Sequence, residues 1–289
     1  MRIVSMSTSA TRILRERIVL IFDFDDTLGP STTKTYFDHL GIPYDDFAAR
    51  LERRQEDMWH YPLAKADLLR EYSHREESPI TRKSMEDFGR EFPLFPGADE
   101  LVDCLKEYAA DRDEEVTLEF VLLTAGFKTI PESTVIGEQF DRVYGGELEF
   151  DHDGRVVSAR RVISHVDKVH YIKQLVEGLD LDRASELENT YIDHDPDNNY
   201  VPMAQVIYVG DGSSDMSAFQ IVEQGGGVAV AINPEGESWE NYKNMSRGRR
   251  VHNLEDADYR EDSDLIQTLK LALDMMIARI KLLRLGKDD

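Results

Sequence analysis

Three carboxylates and a hydroxyl follow one another where an apolar run ends. Residues 18–24 read IVLIFDF, and the overlapping FDFDDTL at 22–28 carries Asp23, Asp25, Asp26 and Thr27. Carboxylates held this close repel, and a bound cation is the natural relief. One acidic turn alone would be an ordinary solvated loop, but a second apolar run ends the same way. VIYVGDGSSD places Asp211 directly after its run and Asp215 one helical turn later. Two acidic strand ends make a metal site, with Asp23, Asp25, Asp211 and Asp215 as its candidates. Hard oxygen donors without an accompanying cysteine select magnesium, which keeps several waters and binds through one or two carboxylates plus phosphate oxygens.

A phosphate needs donors and a further cation. A third apolar run ends in VLLTAG, where the Thr124 hydroxyl and the backbone N–H groups at Ala125 and Gly126 are suited to phosphate oxygens. Lys168, opening the stretch VHYIKQLV, is the best-placed cation for a phosphate dianion.

These residues need elements that bring them to one place. The runs at 18–24, at 118–123, ending at Gly210, and at 228–232 are short and rich in branched residues, as expected of strands buried on both faces of a parallel sheet. Helical patterns lie between successive runs, so the fold class is α/β, and ligands of such sheets bind at the carboxyl ends of the strands. Between Ser31 and Phe92 the apolar residues fall at helical spacing (Phe47, Leu51; Leu68, Tyr72; Met85, Phe88, Phe92) with no strand among them, which predicts a helical insertion. Pro93, Pro96 and Gly97 mark its exit. GELEFDHDGRVVSARRV alternates on both sides of Asp153-Gly154, the pattern of a β-hairpin. Leu265, Leu269, Met276, Ile280 and Leu283 form the stripe of a C-terminal helix that packs on the parent domain or on a second copy. The expected division is a leader at 1–17, a core at 18–30 and 93–260, a helical insertion at 31–92 and the C-terminal helix at 261–289.

Composition narrows the partners. The 289 residues include 34 basic and 57 acidic ones, a formal charge of −23 that repels nucleic acid and anionic membranes but not a small phosphate held by local cations. No stretch approaches the roughly 18 apolar residues of a membrane span. The single Cys104 forms no internal disulfide, and a cytoplasmic location is the default expectation. Other candidate motifs fail. The acidic segment 193–199 lacks the glycine and glutamate of a calcium loop, and Gly225-Gly226-Gly227 precedes a strand instead of following one. His165, His170 and His194 have no zinc-ligand spacing and are read as surface or structural.

The order Asp23-Phe24-Asp25-Asp26-Thr27, Thr124, Lys168, then Gly210-Asp211-Gly212-Ser213-Ser214-Asp215 resembles the four motifs of the haloacid dehalogenase superfamily. The resemblance runs from about Ile18 to Pro234 and is strongest to phosphoserine-phosphatase-like phosphohydrolases. It implies a Rossmann-like core with a helical cap after the first strand and a β-hairpin flap. It also implies that Asp23 is the nucleophile and Asp25 the acid and base. Magnesium would lie on Asp23, the Asp25 backbone carbonyl, Asp211 and Asp215. An aspartate at position 25 fits the superfamily's phosphatases and phosphomutases, whereas its dehalogenases and cation pumps lack one there. Asp26 occupies a place often held by glycine, and TAG stands where phosphoserine phosphatases commonly have SGG. The implied function is a magnesium-dependent phosphomonoester hydrolase acting on a small phosphorylated metabolite; a homodimer is the alternative that the stripe of the C-terminal helix leaves open. Its rivals are a phosphomutase and a non-catalytic binding protein of the same fold. In the insertion, Arg53, Arg54, Trp59, His60 and Tyr61 are the polar or aromatic residues open to a role in substrate choice, and none is assigned.

Overall fold

The computed structural model describes residues 16–179, 200–212, 214–233 and 251–286. Most of the expected leader, the acidic segment 193–199 with His194, and Ser213 lie outside them. Along the described chain run β1 (Arg17–Phe22), then α1 (Thr32–His39), α2 (Tyr44–Glu56), α3 (Tyr61–Ser73) and α4 (Arg82–Arg90). Next come α5 (Leu101–Arg112), β2 (Thr117–Phe127), α6 (Val135–Gln139), β3 (Arg142–Phe150) and β4 (Val156–Arg161). The series ends with α7 (Asp167–Glu177), β5 (Val206–Gly210), α8 (Met216–Gln224), β6 (Val228–Asn233), β7 (Asn253–Asp256) and α9 (Asp264–Leu285).

The strands form one sheet in the order β4-β3-β2-β1-β5-β6-β7, parallel throughout except for the β3–β4 hairpin. Alternation along β1 explains its unbroken apolar sequence, because both faces are covered. Ile18, Leu20 and Phe22 face a core that includes Leu101, Leu105, Leu269, Leu273 and Met276 of α5 and α9. Val19 and Ile21 face the opposite layer, where Ile172, Leu175, Phe219 and Val222 of α7 and α8 lie. Each of these large side chains removed from water contributes about 1.5–3 kcal/mol.

Two elements differ from the sequence expectation. The strand expected at 118–123 continues to Phe127, with a register shift against β3 between Leu123 and Phe127. Thr124, Ala125 and Gly126 are therefore irregular strand and not a loop. The short β7 has no periodic signal of its own. Its place beside β6 and under α9, with Asn253 and Glu255 bonded to Thr268, comes from tertiary pairing.

Helices α1 to α4 fill the connection between β1 and β2. Phe37, Phe47 and Tyr72 pack their rings at 4.8–5.5 Å, and Arg54 of α2 holds Asp67 of α3 at 2.7 Å. The hairpin docks on this insertion: the Val156 N–H donates to Ser73 Oγ at 3.0 Å, and the Arg82 N–H donates to the Gly154 carbonyl at 2.8 Å. Gly154 has φ +75°, the left-handed turn position that the Asp-Gly pair predicts.

Helix α9 packs its buried stripe against α5 and β7 within the same chain. Its last turn is tied down by Arg284, whose guanidinium donates to Glu16 Oε1 at 2.9 Å and Asp113 Oδ2 at 2.7 Å. Burial pushes the Asp113 carboxyl up, but Arg284 and the Glu115 N–H outweigh it and hold the group below the usual carboxylate range. A lowered folded value means that this contribution is present above the ordinary carboxylate range and is lost as pH falls through the lowered one. Asp113→Asn is expected to flatten that part of the acid limb when the urea midpoint is followed from about pH 6 to about pH 2. An unchanged slope would show that the tie is not coupled to folding.

Candidate active site

Strand register brings the two acidic ends together. Phe22 pairs with Val209, and the Asp23 N–H donates to the Val209 carbonyl at 2.9 Å, so Asp23 stands beside the start of the loop that carries Asp211. Carboxylate oxygens of Asp23, Asp211 and Asp215 lie within 4.8 Å of one another. Lys168, fully buried at the start of α7, reaches between them with its ammonium 2.9 Å from Asp23 Oδ2 and 2.6 Å from Asp215 Oδ1. Tyr208, which sequence reasoning missed, donates its hydroxyl to the same Asp215 oxygen at 2.5 Å. Its position inside a buried strand is the signal: a tyrosine there needs a partner for its hydroxyl.

Electrostatics follow from crowding. Burial and then the neighbouring Asp215 push Asp211 up to about 7. Burial raises Asp23 well above the ordinary carboxylate range, with Lys168 opposing and Asp215 and Asp211 adding to the rise. Burial would also raise Asp215, but the Lys168 ammonium and the hydrogen bonds it accepts hold it low. Lys168 is kept charged against its own burial by Asp215 and Asp23. The remaining oxygen of the nucleophile candidate, Asp23 Oδ1, is buried with no hydrogen-bond partner. An orphaned carboxylate oxygen beside two further carboxylates is the donor set of a hard divalent cation, so magnesium fits the residues present.

Asp25 stands apart from that cluster. The Thr32 N–H at the start of α1 donates to its Oδ1 at 2.7 Å, while a Cβ placed on Gly126 would lie 3.2 Å from its Oδ2. The carboxyl is thus anchored through one oxygen, with the other facing the end of β2. Asp26 has φ +57°, a left-handed conformation that explains why glycine suits this place and why aspartate tolerates it. On β2, buried Thr124 accepts the Gly126 N–H at its Oγ1 at 2.9 Å, so that backbone donor is engaged within the turn.

Gly210 is needed for space. A Cβ there would sit 2.3 Å from Asp215 Oδ2 and 2.6 Å from its Cγ. Gly210→Ala is expected to push Asp215 off Lys168, cost about 1–3 kcal/mol and remove most of the rise in melting temperature that a magnesium ion held by this cluster would give. Thermal unfolding with and without the ion measures both effects.

The insertion begins directly after the end of β1, and the first turn of its α1 bonds the Asp25 carboxyl. Of the residues singled out there, Arg54 serves the α2–α3 contact, Arg53 and His60 are exposed, and Trp59 is 47% exposed beneath Arg54. Tyr61 is half-buried and interacts electrostatically with Lys65, a residue missed by sequence reasoning. The signal was available. Lys65 falls in register with Leu68, Leu69 and Tyr72 on the buried stripe of α3, where a lysine is out of place. His165 is exposed, and His170 contacts Gln174 at 2.9 Å.

No family model and no curated protein matches the sequence. Solved structures do match. One is a HAD family hydrolase from Salmonella enterica subsp. enterica serovar Typhi, with a TM-score of 0.53 and 12% identity over 83% of this chain. The chain spans 66% of that protein's length. A phosphoserine phosphatase in its apo form gives 0.54 and 16% identity over 88% of this chain and 98% of its own. A substrate-bound phosphoserine phosphatase complex gives 0.53 and 14% over the same shares. The chain has the haloacid dehalogenase fold. In this fold the three acidic residues and Lys168 occupy the carboxyl ends of β1 and β5 and the start of α7, where the sheet's ligand crevice lies. Among the described residues, no helix is long and apolar enough to cross a membrane.

Proposed function

We propose that the chain is a magnesium-dependent phosphomonoester hydrolase that acts on a small phosphorylated metabolite through an aspartyl-phosphate. The observation that carries this reading is the buried Lys168 ammonium shared by Asp23 and Asp215, with Asp23 Oδ1 left unbonded beside Asp211. Asp23, Asp211 and Asp215, with the Asp25 carbonyl, would hold the ion, which when bound neutralises the charge of phosphoryl oxygens and of the attacking carboxylate.

The residues then divide the work. Lys168 orients Asp23 through Oδ2, so that Oδ1 is free to attack phosphorus while the bond to the leaving oxygen breaks. The Thr124 hydroxyl and the Ala125 N–H, with Lys168, take up the phosphoryl oxygens, and the Gly126 N–H joins them on leaving the Thr124 Oγ1 that it bonds at 2.9 Å. Asp25, held at Oδ1 by Thr32, gives its proton to the departing oxygen. In the second half it takes a proton from the water that attacks the aspartyl-phosphate, which regenerates Asp23 and releases phosphate. The insertion and hairpin act as a cap that excludes bulk water, and the charge of −23 directs the choice to small molecules over polyanions.

The test is phosphate release from a panel of sugar phosphates, nucleoside monophosphates, phosphoserine and phosphoglycolate, with magnesium and with chelator. Release that needs magnesium is the expected result. A folded protein that magnesium stabilises, yet releases phosphate from no ester, would overturn the assignment.

A further inference from the structure

Two connections join the helical insertion to the core: 23–31 leaves the end of β1, and 91–97 returns toward α5. They lie against each other. The Phe95 N–H donates to the Leu28 carbonyl at 2.9 Å, and a Cβ on Gly29 would sit 2.4 Å from the Phe92 ring. Tyr259, between β7 and α9 and 232 positions from Thr27, bonds both connections. Its hydroxyl donates to the Thr27 carbonyl at 2.8 Å, and its N–H donates to the Pro96 carbonyl at 2.8 Å. The residue is 1% exposed. Its backbone is packed as closely as its ring, since a Cβ on Gly97, at φ +78°, would meet the Tyr259 carbonyl carbon at 2.6 Å.

The outgoing connection is a turn that needs such support. The Thr27 and Leu28 N–H groups both donate to the Phe24 carbonyl, at 3.1 and 2.9 Å. Asp26, inside this turn, holds its left-handed φ of +57°, which a non-glycine residue keeps only where the surroundings over-determine it. Asp25 stands in the same turn. Its carboxyl is tied on one side by the Thr32 N–H, and its backbone is tied on the other by Tyr259 through Thr27. Asp23 is placed differently, by the pairing of β1 with β5. We propose that Tyr259 is a positioning residue for Asp25: its buried hydroxyl clamps the turn to the returning connection and so holds the Asp25 carboxyl where the leaving oxygen departs. Tyr259 lies beyond Pro234, where the resemblance to the four motifs ends, and none of those motifs assigns it. The catalytic consequence rests on the phosphohydrolase reading, whereas the clamp can be tested without turnover.

Tyr259→Phe keeps the ring and removes the hydroxyl, which leaves the Thr27 carbonyl without its donor. By hydrogen exchange, the amides of Thr27, Leu28 and Phe95 are expected to exchange at least ~10-fold faster while those of β5 keep their rate. Turnover with magnesium then compares the fastest alkyl ester of the phosphate-release panel with 4-nitrophenyl phosphate. An alkyl alcohol leaves only with a proton, whereas the nitrophenolate leaves without one. Loss of the hydroxyl is expected to lower kcat/KM at least ~10-fold for the alkyl ester and no more than ~3-fold for the nitrophenyl ester. Equal losses for the two esters, or faster exchange throughout the sheet, is the behaviour of a tyrosine that only stabilises the fold, and either overturns the proposal. Unchanged exchange at the three amides overturns it as well. If the unsubstituted chain releases phosphate from neither ester, the hydrolase reading falls, while the exchange comparison still decides the clamp.

Discussion

Asp23→Asn is expected to lower magnesium-dependent phosphate release on the order of 10⁴-fold or more while leaving the protein folded. The amide keeps the volume and shape of the carboxylate, so the packing at the end of β1 is undisturbed. What disappears is the negatively charged oxygen that forms the bond to phosphorus in the proposed mechanism. Stability should not fall, because Asp23, Asp211 and Asp215 crowd three carboxylates around the single ammonium of Lys168. Burial raises the Asp23 carboxyl above the ordinary carboxylate range, so a neutral amide removes a charge that the interior disfavours. Two measurements read this result: released phosphate under saturating ester, and the melting temperature without magnesium. Activity above about 1% of the unsubstituted chain would move the nucleophile elsewhere.

Lys168→Met should be the most damaging single change to the fold. Its ammonium is fully buried and within 3 Å of both Asp23 and Asp215, and removing it leaves two carboxylates in the interior without a bonded cation. Deleting one partner of a buried ion pair typically costs about 3–5 kcal/mol. At about 2–4 °C per kcal/mol for a chain of this class, the melting temperature should drop by roughly 6–20 °C, and phosphate release should vanish with it. The double change Lys168→Met, Asp215→Asn should recover part of the stability, because the uncompensated charge is halved and Tyr208 can still donate to the amide oxygen. Activity should not return. A single variant melting within about 2 °C of its parent would mean that Lys168 does not hold the site together.

The two effects differ in origin although they touch the same ion pair. Asp23 is where the proposed chemistry requires a charge that the fold disfavours, and Lys168 is what makes the charge bearable. A magnesium ion, as proposed, would add a second compensation, so its effect on the melting temperature would report on Asp215 geometry in Gly210→Ala.

Much of the arrangement was legible in the chain itself. An unbroken branched run such as 18–22 has one comfortable place, the middle of a parallel sheet, and acidic residues directly after two such runs must gather at the carboxyl edge. The hairpin was equally local, since Asp153-Gly154 supplies the left-handed turn at φ +75°. The helical insertion followed from periodicity alone. The strand at 253–256 was not legible, because four residues carry no period and only the edge of β6 makes them a strand. The extension of β2 through Gly126 was hidden for a similar reason: glycine reads as a stop unless β3 is there to continue the pairing.

Sequence by itself determined which residue types stand at which strand ends, because short-range patterning decides where a buried strand stops and a polar loop begins. Only the tertiary structure decided which charges are shared. Lys168 and Asp215 are 47 positions apart, and nothing local requires the ammonium to reach across to Asp215 and Asp23 at once. The same holds for Lys65. Its helical register placed it on an apolar stripe, but whether its ammonium meets a bonded anion depends on how the helices of the insertion pack. Charge compensation in an interior is set by distances of a few ångströms between remote segments, and those distances exist only once the chain has packed.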